Sequence, residues 1–205
     1  MKNMLSLLLF IFNDFLMPFS QSSQISTIIG FIETLKPNSV LDIGTGMGQY
    51  GFLMRNNLEH INLFEIEGNS GKQRPKEQWQ IQIDGIEGFA GYITPVHEYC
   101  YNKMMIGNAL DILPSLPSKS YDLIIAIDIL EHFEMSQGQF FLEEMKRICR
   151  QTCLISTPKE FIYQQIEANS YENHLSFWTQ PDLKSQHFND FLPNEFSWIA
   201  IYNKE

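Results

Sequence analysis

A chain of 205 residues, 44% of them hydrophobic and 16 of them Phe, is long enough for one domain with a substantial core and too short for two full ones. Its formal charge of −10 and pI near 4.9 count against nucleic acid as the main partner, because a surface that grips phosphate backbone carries a basic face. The three cysteines, Cys100, Cys149 and Cys153, form no CxxC pair, so neither zinc nor a redox dithiol is expected. The thiols read as reduced and cytoplasmic, and no metal site is expected.

Lys2 and the apolar run at residues 4–12 (MLSLLLFIF) resemble the opening of a secretory signal. The run is too short to span a bilayer, Asn13 and Asp14 interrupt it, and no small-x-small cleavage site follows. Residues 1–21 are therefore expected to hold a helix that packs on the domain or on a second copy of the chain, as in a homodimer. Further on, Ile25, Ile28, Ile29, Ile32 and Leu35 recur at intervals of three and four, which predicts an amphipathic helix over residues 22–35. Pro37 and Asn38 end it.

Residues 40–51 (VLDIGTGMGQYG) are the centre of the chain: an apolar strand at 39–43 runs into a turn with glycines at alternate positions, and a helix is expected over 49–57. Gly44, Gly46 and Gly48 let the backbone turn tightly and approach a ligand closely. The dinucleotide fingerprint asks for GxGxxG, whereas this turn reads GxGxG with Gln at position 49, a spacing suited to a nucleoside ligand without a pyrophosphate.

Two segments compete for the second strand, residues 61–67 (INLFEIE) and 79–87 (WQIQIDGIE), each ending in an acid. A carboxylate at that strand tip accepts hydrogen bonds from the two ribose hydroxyls. Glu65 has the better distance from the glycines, but it leaves a long unassigned stretch before the third strand at 103–106, so Glu87 is preferred. Residues 68–78 (GNSGKQRPKEQ) then form a surface insertion, with a short extra strand before it.

Thr94, Pro95 and Glu98 read as a helix start, and Asn108 and Ala109 stand at the end of the third strand. Residues 121–127 (YDLIIAI) are the signature of a central strand buried on both faces, closed by Asp128. Phe140, Phe141, Met145 and Ile148 mark one face of a helix over 137–150, and residues 152–157 (TCLIST) form the fifth strand, stopped by Pro158. After a helix beginning near Thr179, residues 196–202 (FSWIAIY) alternate as a late strand that can enter antiparallel. Such alternation predicts a parallel sheet with helices on both faces.

Through LDIGTGMG, the acid of DGIE, the GNA tripeptide, IDILEHF and ISTP, residues 36–205 resemble the class I S-adenosylmethionine-dependent methyltransferases. The resemblance implies a single domain with an α/β fold, a three-layer Rossmann-like doubly wound sheet of about seven strands, mostly parallel, with an antiparallel C-terminal strand. It implies S-adenosylmethionine as cofactor, a turn built from Asp42, Gly44, Thr45, Gly46 and Gly48, ribose on Glu87, adenine at Asn108 and Ala109, and a further cofactor contact at Asp128. The family usually has aspartate where this chain has Asn108; an asparagine still accepts from the adenine amine through its carbonyl.

Methyl transfer from a sulfonium is an in-line displacement, so the protein mainly aligns the acceptor and needs a base only if the acceptor loses a proton. His132 and Glu131, just past the fourth strand, are the candidate catalytic groups, although His132 can equally well shape the loop and Glu131 can open a helix. The cluster YENHLSFW at 171–178 offers His174 and Trp178 as candidate acceptor contacts, with Trp178 packed inward as the alternative. The expected acceptor is a small molecule or a glycan. A non-catalytic cofactor-binding subunit, a nucleic-acid methyltransferase and an NAD-dependent oxidoreductase are the other readings, and the acidic charge and the lack of a [DNS]PP[YFW] segment oppose the nucleic-acid one.

Overall fold

The computed structural model describes residues 21–204; the apolar N-terminal run lies outside them. Its main sheet has seven strands: β1 (Ser39–Ile43), β4 (Gln82–Glu87), β5 (Lys103–Ile106), β6 (Tyr121–Ile127), β7 (Cys149–Pro158), β8 (Asp190–Leu192) and β9 (Ser197–Asn203). They lie in the order β5-β4-β1-β6-β7-β9-β8. Pairings across β5, β4, β1, β6 and β7 are parallel, and β9 enters antiparallel between β7 and β8. Two further strands, β2 (Phe64–Glu67) and β3 (Ser70–Gln73), form a separate antiparallel hairpin.

Hydrophobic pattern explains the layering. β1 and β6 are buried along their whole length, as strands covered on both faces must be. On one face, α1 (Ser22–Leu35) lays Ile28, Ile29 and Ile32 onto Val40, Leu123 and Ile125, and α2 (Gln49–Met54) and α3 (Pro95–Cys100) complete the layer. On the other, α4 (Ala109–Ile112), α5 (Met135–Ile148) and α6 (Gln180–Ser185) cover Leu41, Ile43, Ile124 and Ile155. Burying each such aliphatic side chain contributes roughly 1.5–3 kcal/mol. Among the described residues, no helix is long and apolar enough to cross a membrane.

The second strand is the later candidate. Glu87 ends β4 beside β1, whereas Glu65 sits in the β2–β3 hairpin, outside the main sheet. The short strand expected before residues 68–78 is β2, which begins at Phe64 and pairs with β3 inside the insertion. The second strand starts at Gln82 rather than 79, and α2 stops at Met54 and continues as a π turn over Arg55–Glu59. One buried side chain accounts for both differences. The Arg55 guanidinium donates to Cys100 O at 2.8 Å, Ile81 O at 2.6 Å, Asn102 Oδ1 at 2.8 Å and Glu59 Oε1 at 3.1 Å, and Trp79 packs over it with 4.7 Å between Cζ and the ring centroid. Trp79 is thereby drawn off the sheet. Thr94 caps α3 with Pro95 at its first position, as expected, and His97 closes a capping box. The helix expected over 137–150 runs two residues earlier, and the fifth strand is longer at both ends.

Candidate active site

In a doubly wound sheet, ligands bind beyond the carboxyl ends of the strands where the strand order reverses. Here that point lies between β1 and β6, whose neighbours β4 and β7 depart in opposite directions. A cleft of about 510 Å³ opens there, bounded by the glycine turn, the tip of β4, Asn108 and Ala109, the loop after β6 and the segment following β7.

The turn after β1 passes through Gly44 at φ 76°, Gly46 at 53° and Gly48 at 88°, left-handed values that favour glycine. At Gly44 a Cβ would also stand 2.0 Å from Ile129 Cδ1, so that side chain would have to move. The turn is stitched to β4: the Gly44 and Thr45 amides donate to Ile86 O at 2.8 and 3.2 Å, and the Gly46 amide donates to Glu87 Oε2 at 2.8 Å. The other Glu87 oxygen accepts from the Phe89 amide at 2.9 Å. Burial pushes the Glu87 carboxyl up, and these two amides oppose the shift. Thr45 Oγ1 lies 3.1 Å from His97 Nε2, so the capping residue of α3 also buttresses the turn.

Beyond β6, Asp128 adopts φ 54°, a left-handed conformation that a short polar side chain tolerates. Gln24 Nε2 donates to Asp128 Oδ2 at 2.6 Å and Ser156 Oγ donates to Oδ1 at 2.7 Å, fixing the carboxylate from α1 and β7 together. The chain then turns through Glu131 and His132. Glu131 is 4% exposed and its carboxyl is pushed well above the ordinary range by burial, with Asp128 nearby adding to the effect. Burial, reinforced by the neighbouring His174, brings His132 down to about 4; burial also lowers His174. Both imidazoles are consequently neutral near pH 7, and His132 is a weak base there.

The backbone carbonyl of Glu131 explains why these histidines meet. It accepts from the amides of Leu175 and Ser176 at 2.8 and 3.1 Å, clipping the distal loop onto the turn after β6. His132 and His174 come together edge to face with centroids 4.9 Å apart. Trp178, 1% exposed, anchors the loop from beneath: its Nε1 donates to Ser176 Oγ at 2.8 Å, and its ring lies against Gly138 of α5. The HLSFW stretch thus splits into a cleft residue, His174, and a core anchor, Trp178.

Of the residues expected at the site, Gly44, Thr45, Gly46, Glu87, Asn108, Ala109, Asp128, Glu131, His132 and His174 line the cleft. Asp42, Gly48 and Trp178 do not. The Asp42 carboxylate accepts from Tyr101 Oη at 2.6 Å inside the core, Gly48 caps α2 against Val96 and His97, and Trp178 is buried. Asn108 spends its carbonyl on the Leu110 amide at 2.9 Å as the cap of α4, so its amide is the group turned to other partners. Two supporting residues escaped the sequence reading. Gln24 lies on the stripe of Ile28 and Ile32, and a polar residue on a buried stripe was the available signal. His97 stands three residues after Thr94, where a capping box takes Glu or Gln.

The sequence matches no protein-family model and no curated protein. Solved structures do match. A S-adenosylmethionine-dependent methyltransferase from Archaeoglobus fulgidus aligns over 87% of this chain and 94% of its own, with a TM-score of 0.55 at 12% identity. The PH0226 protein from Pyrococcus horikoshii OT3 aligns over 90% and 93%, with a TM-score of 0.55 at 17% identity. The N-terminal domain of EvdMO1, solved in the presence of S-adenosylhomocysteine and D-fucose, aligns over 90% and 84%, with a TM-score of 0.59 at 12% identity. In strand order, in its antiparallel β9 and in its structural neighbours, the chain has the Rossmann-like fold of the class I S-adenosylmethionine-dependent methyltransferases.

Proposed function

We propose that the protein is an S-adenosylmethionine-dependent methyltransferase whose acceptor is a small hydroxyl-bearing molecule or a glycan. The observation that carries this reading is the convergence in one cleft of the glycine turn, the Glu87 carboxylate at the tip of the adjoining strand, and the Asp128–Glu131–His132 turn. The cleft fits the cofactor in size, as sites for molecules of that class span about 300–1,000 Å³. It also fits in chemistry: Glu87 offers acceptors to the ribose hydroxyls, the Asn108 side chain and the Ala109 backbone stand where an adenine would lie, and Asp128 offers a fixed carboxylate to the amino-acid end. When bound, the sulfonium supplies an electrophilic methyl group.

The rest of the site serves the acceptor. Neutral His132 and His174 present ring nitrogens to a hydroxyl, and Pro158, Ile162, Gln164 and residues 170–175 form that wall of the cleft. The D-fucose present with the EvdMO1 domain is a hydroxyl-rich sugar, which favours the glycan side of the proposal. The net charge of −10 counts against nucleic acid as the acceptor. Calorimetric titration with S-adenosylmethionine, S-adenosylhomocysteine and NAD tests the proposal. Binding of both sulfur compounds with NAD silent is expected; NAD binding alone would assign the cleft to redox chemistry.

A further inference from the structure

We infer that Glu131, His132 and His174 form a divalent-cation site on the wall of the cleft, where the cation takes the hydroxyl oxygen of the acceptor as a further ligand. One ligand atom from each residue lies within 4.8 Å of the other two, and all three residues line the cleft. Bonds of about 2.1 Å to a common ion set ligand atoms roughly 3–4 Å apart, which small rotations of the side chains reach from this spacing.

The two histidines are already prepared as ligands. His132 Nδ1 lies 3.2 Å from Asn173 O and His174 Nδ1 lies 2.6 Å from Ile162 O. A carbonyl acceptor fixes the proton on Nδ1 and leaves Nε2 as the electron-pair donor, which is how metal-binding imidazoles are oriented by the groups behind them. Glu131 supplies the second, independent observation. Its Oε2 is buried and has no hydrogen-bond partner, in a residue only 4% exposed. A buried, unsatisfied carboxylate oxygen is costly unless something cationic meets it. The Leu175 and Ser176 amides on the Glu131 carbonyl hold the two ligand-bearing segments together, and Trp178 locks that junction from the core.

Two imidazoles and one carboxylate select Mn²⁺, Fe²⁺, Co²⁺ or Zn²⁺ over Mg²⁺, which prefers oxygen ligands. Three protein ligands leave coordination positions open towards the cleft. A hydroxyl bound there becomes more acidic and releases its proton to water, so neither histidine need act as a base. This last role rests on the proposed methyl transfer; the binding of the cation does not.

The test is therefore made on the full chain without S-adenosylmethionine. Co²⁺ titration should give one tight equivalent with visible d–d absorption, displaced by Zn²⁺ and not by an equal concentration of Mg²⁺. His174→Asn and Glu131→Gln should each weaken Co²⁺ by at least tenfold, with circular dichroism reporting whether each variant is folded. Thermal unfolding of the wild type should shift upward with Zn²⁺. Absence of a stoichiometric Co²⁺ site in the wild type, or displacement by Mg²⁺ as readily as by Zn²⁺, overturns the inference. Undiminished Co²⁺ binding by the folded variants does so too. Calorimetry with S-adenosylhomocysteine reports on the proposed cofactor separately, so failure of one reading leaves the other standing or falling on its own result.

Discussion

Asp42→Asn should stabilise the protein by an amount that grows with pH. Asp42 sits in the middle of the sheet at 2% exposure, bonded to Tyr101 Oη, and burial raises its carboxyl from 3.8 to about 7, with the Tyr101 bond opposing and the Glu87 charge adding to the rise. Between those two values the unfolded chain has released the proton and the folded one still holds it. Unfolding free energy therefore falls as pH rises. A shift of about three pH units at roughly 1.4 kcal/mol each amounts to about 4 kcal/mol, fully lost above pH 7. Asparagine keeps the shape and an acceptor for the Tyr101 hydroxyl while removing the ionisation. Urea unfolding of both proteins from pH 4 to pH 8 measures the effect. The variant should gain steadily on the wild type, by about 4 kcal/mol across the range. A difference that stays constant with pH refutes the assignment of a buried, late-titrating carboxyl beneath the glycine turn.

Further outcomes are expected. Glu87→Ala removes two acceptors proposed for the ribose, each charge-assisted bond being worth about 1.5–3 kcal/mol, so S-adenosylhomocysteine should bind at least a hundredfold more weakly by calorimetry. Glu65→Ala, on the outlying hairpin, should leave binding unchanged. Gly138→Ala places a Cβ 2.5 Å from Trp178 Cζ2, and overpacking of about 1–3 kcal/mol should outweigh the helix-propensity gain of about 1 kcal/mol in urea unfolding; a more stable variant contradicts the placement of Trp178. Arg55→Leu strands the buried Glu59 and should cost about 3–5 kcal/mol, and the double variant Arg55→Leu/Glu59→Leu should recover only the share of the stranded carboxylate, because Cys100 O, Ile81 O and the Ile81 amide stay without their partners.

The main sheet was readable because its strands are buried on both faces, and buried strands leave uninterrupted apolar runs such as residues 121–127. The contest between Glu65 and Glu87 was settled by chain length alone, and the register of β4 against β1 agrees. The start of β4 at Gln82 was not legible, because Trp79 and Ile81 are held by one buried guanidinium, and a sequence does not show which arginine is inside. Asp42 was assigned to the cofactor turn by position, yet strand alternation points its side chain to Tyr101 and the core. The pairing of His132 with His174 depends on the Glu131 carbonyl holding a distant loop, a backbone contact with no local pattern. The expectation of no metal rests on the cysteines, and the approach of Glu131, His132 and His174 to one another has no local pattern in the sequence.

The most direct measurement is a crystal structure of the protein with S-adenosylhomocysteine. Both ribose hydroxyls on the Glu87 carboxylate, the adenine beside Asn108 and the sulfur facing the Asp128–His132 turn are predicted. Adenosine held elsewhere, or a complex in which Glu87 keeps only its contacts to Gly46 and Phe89, would contradict the account.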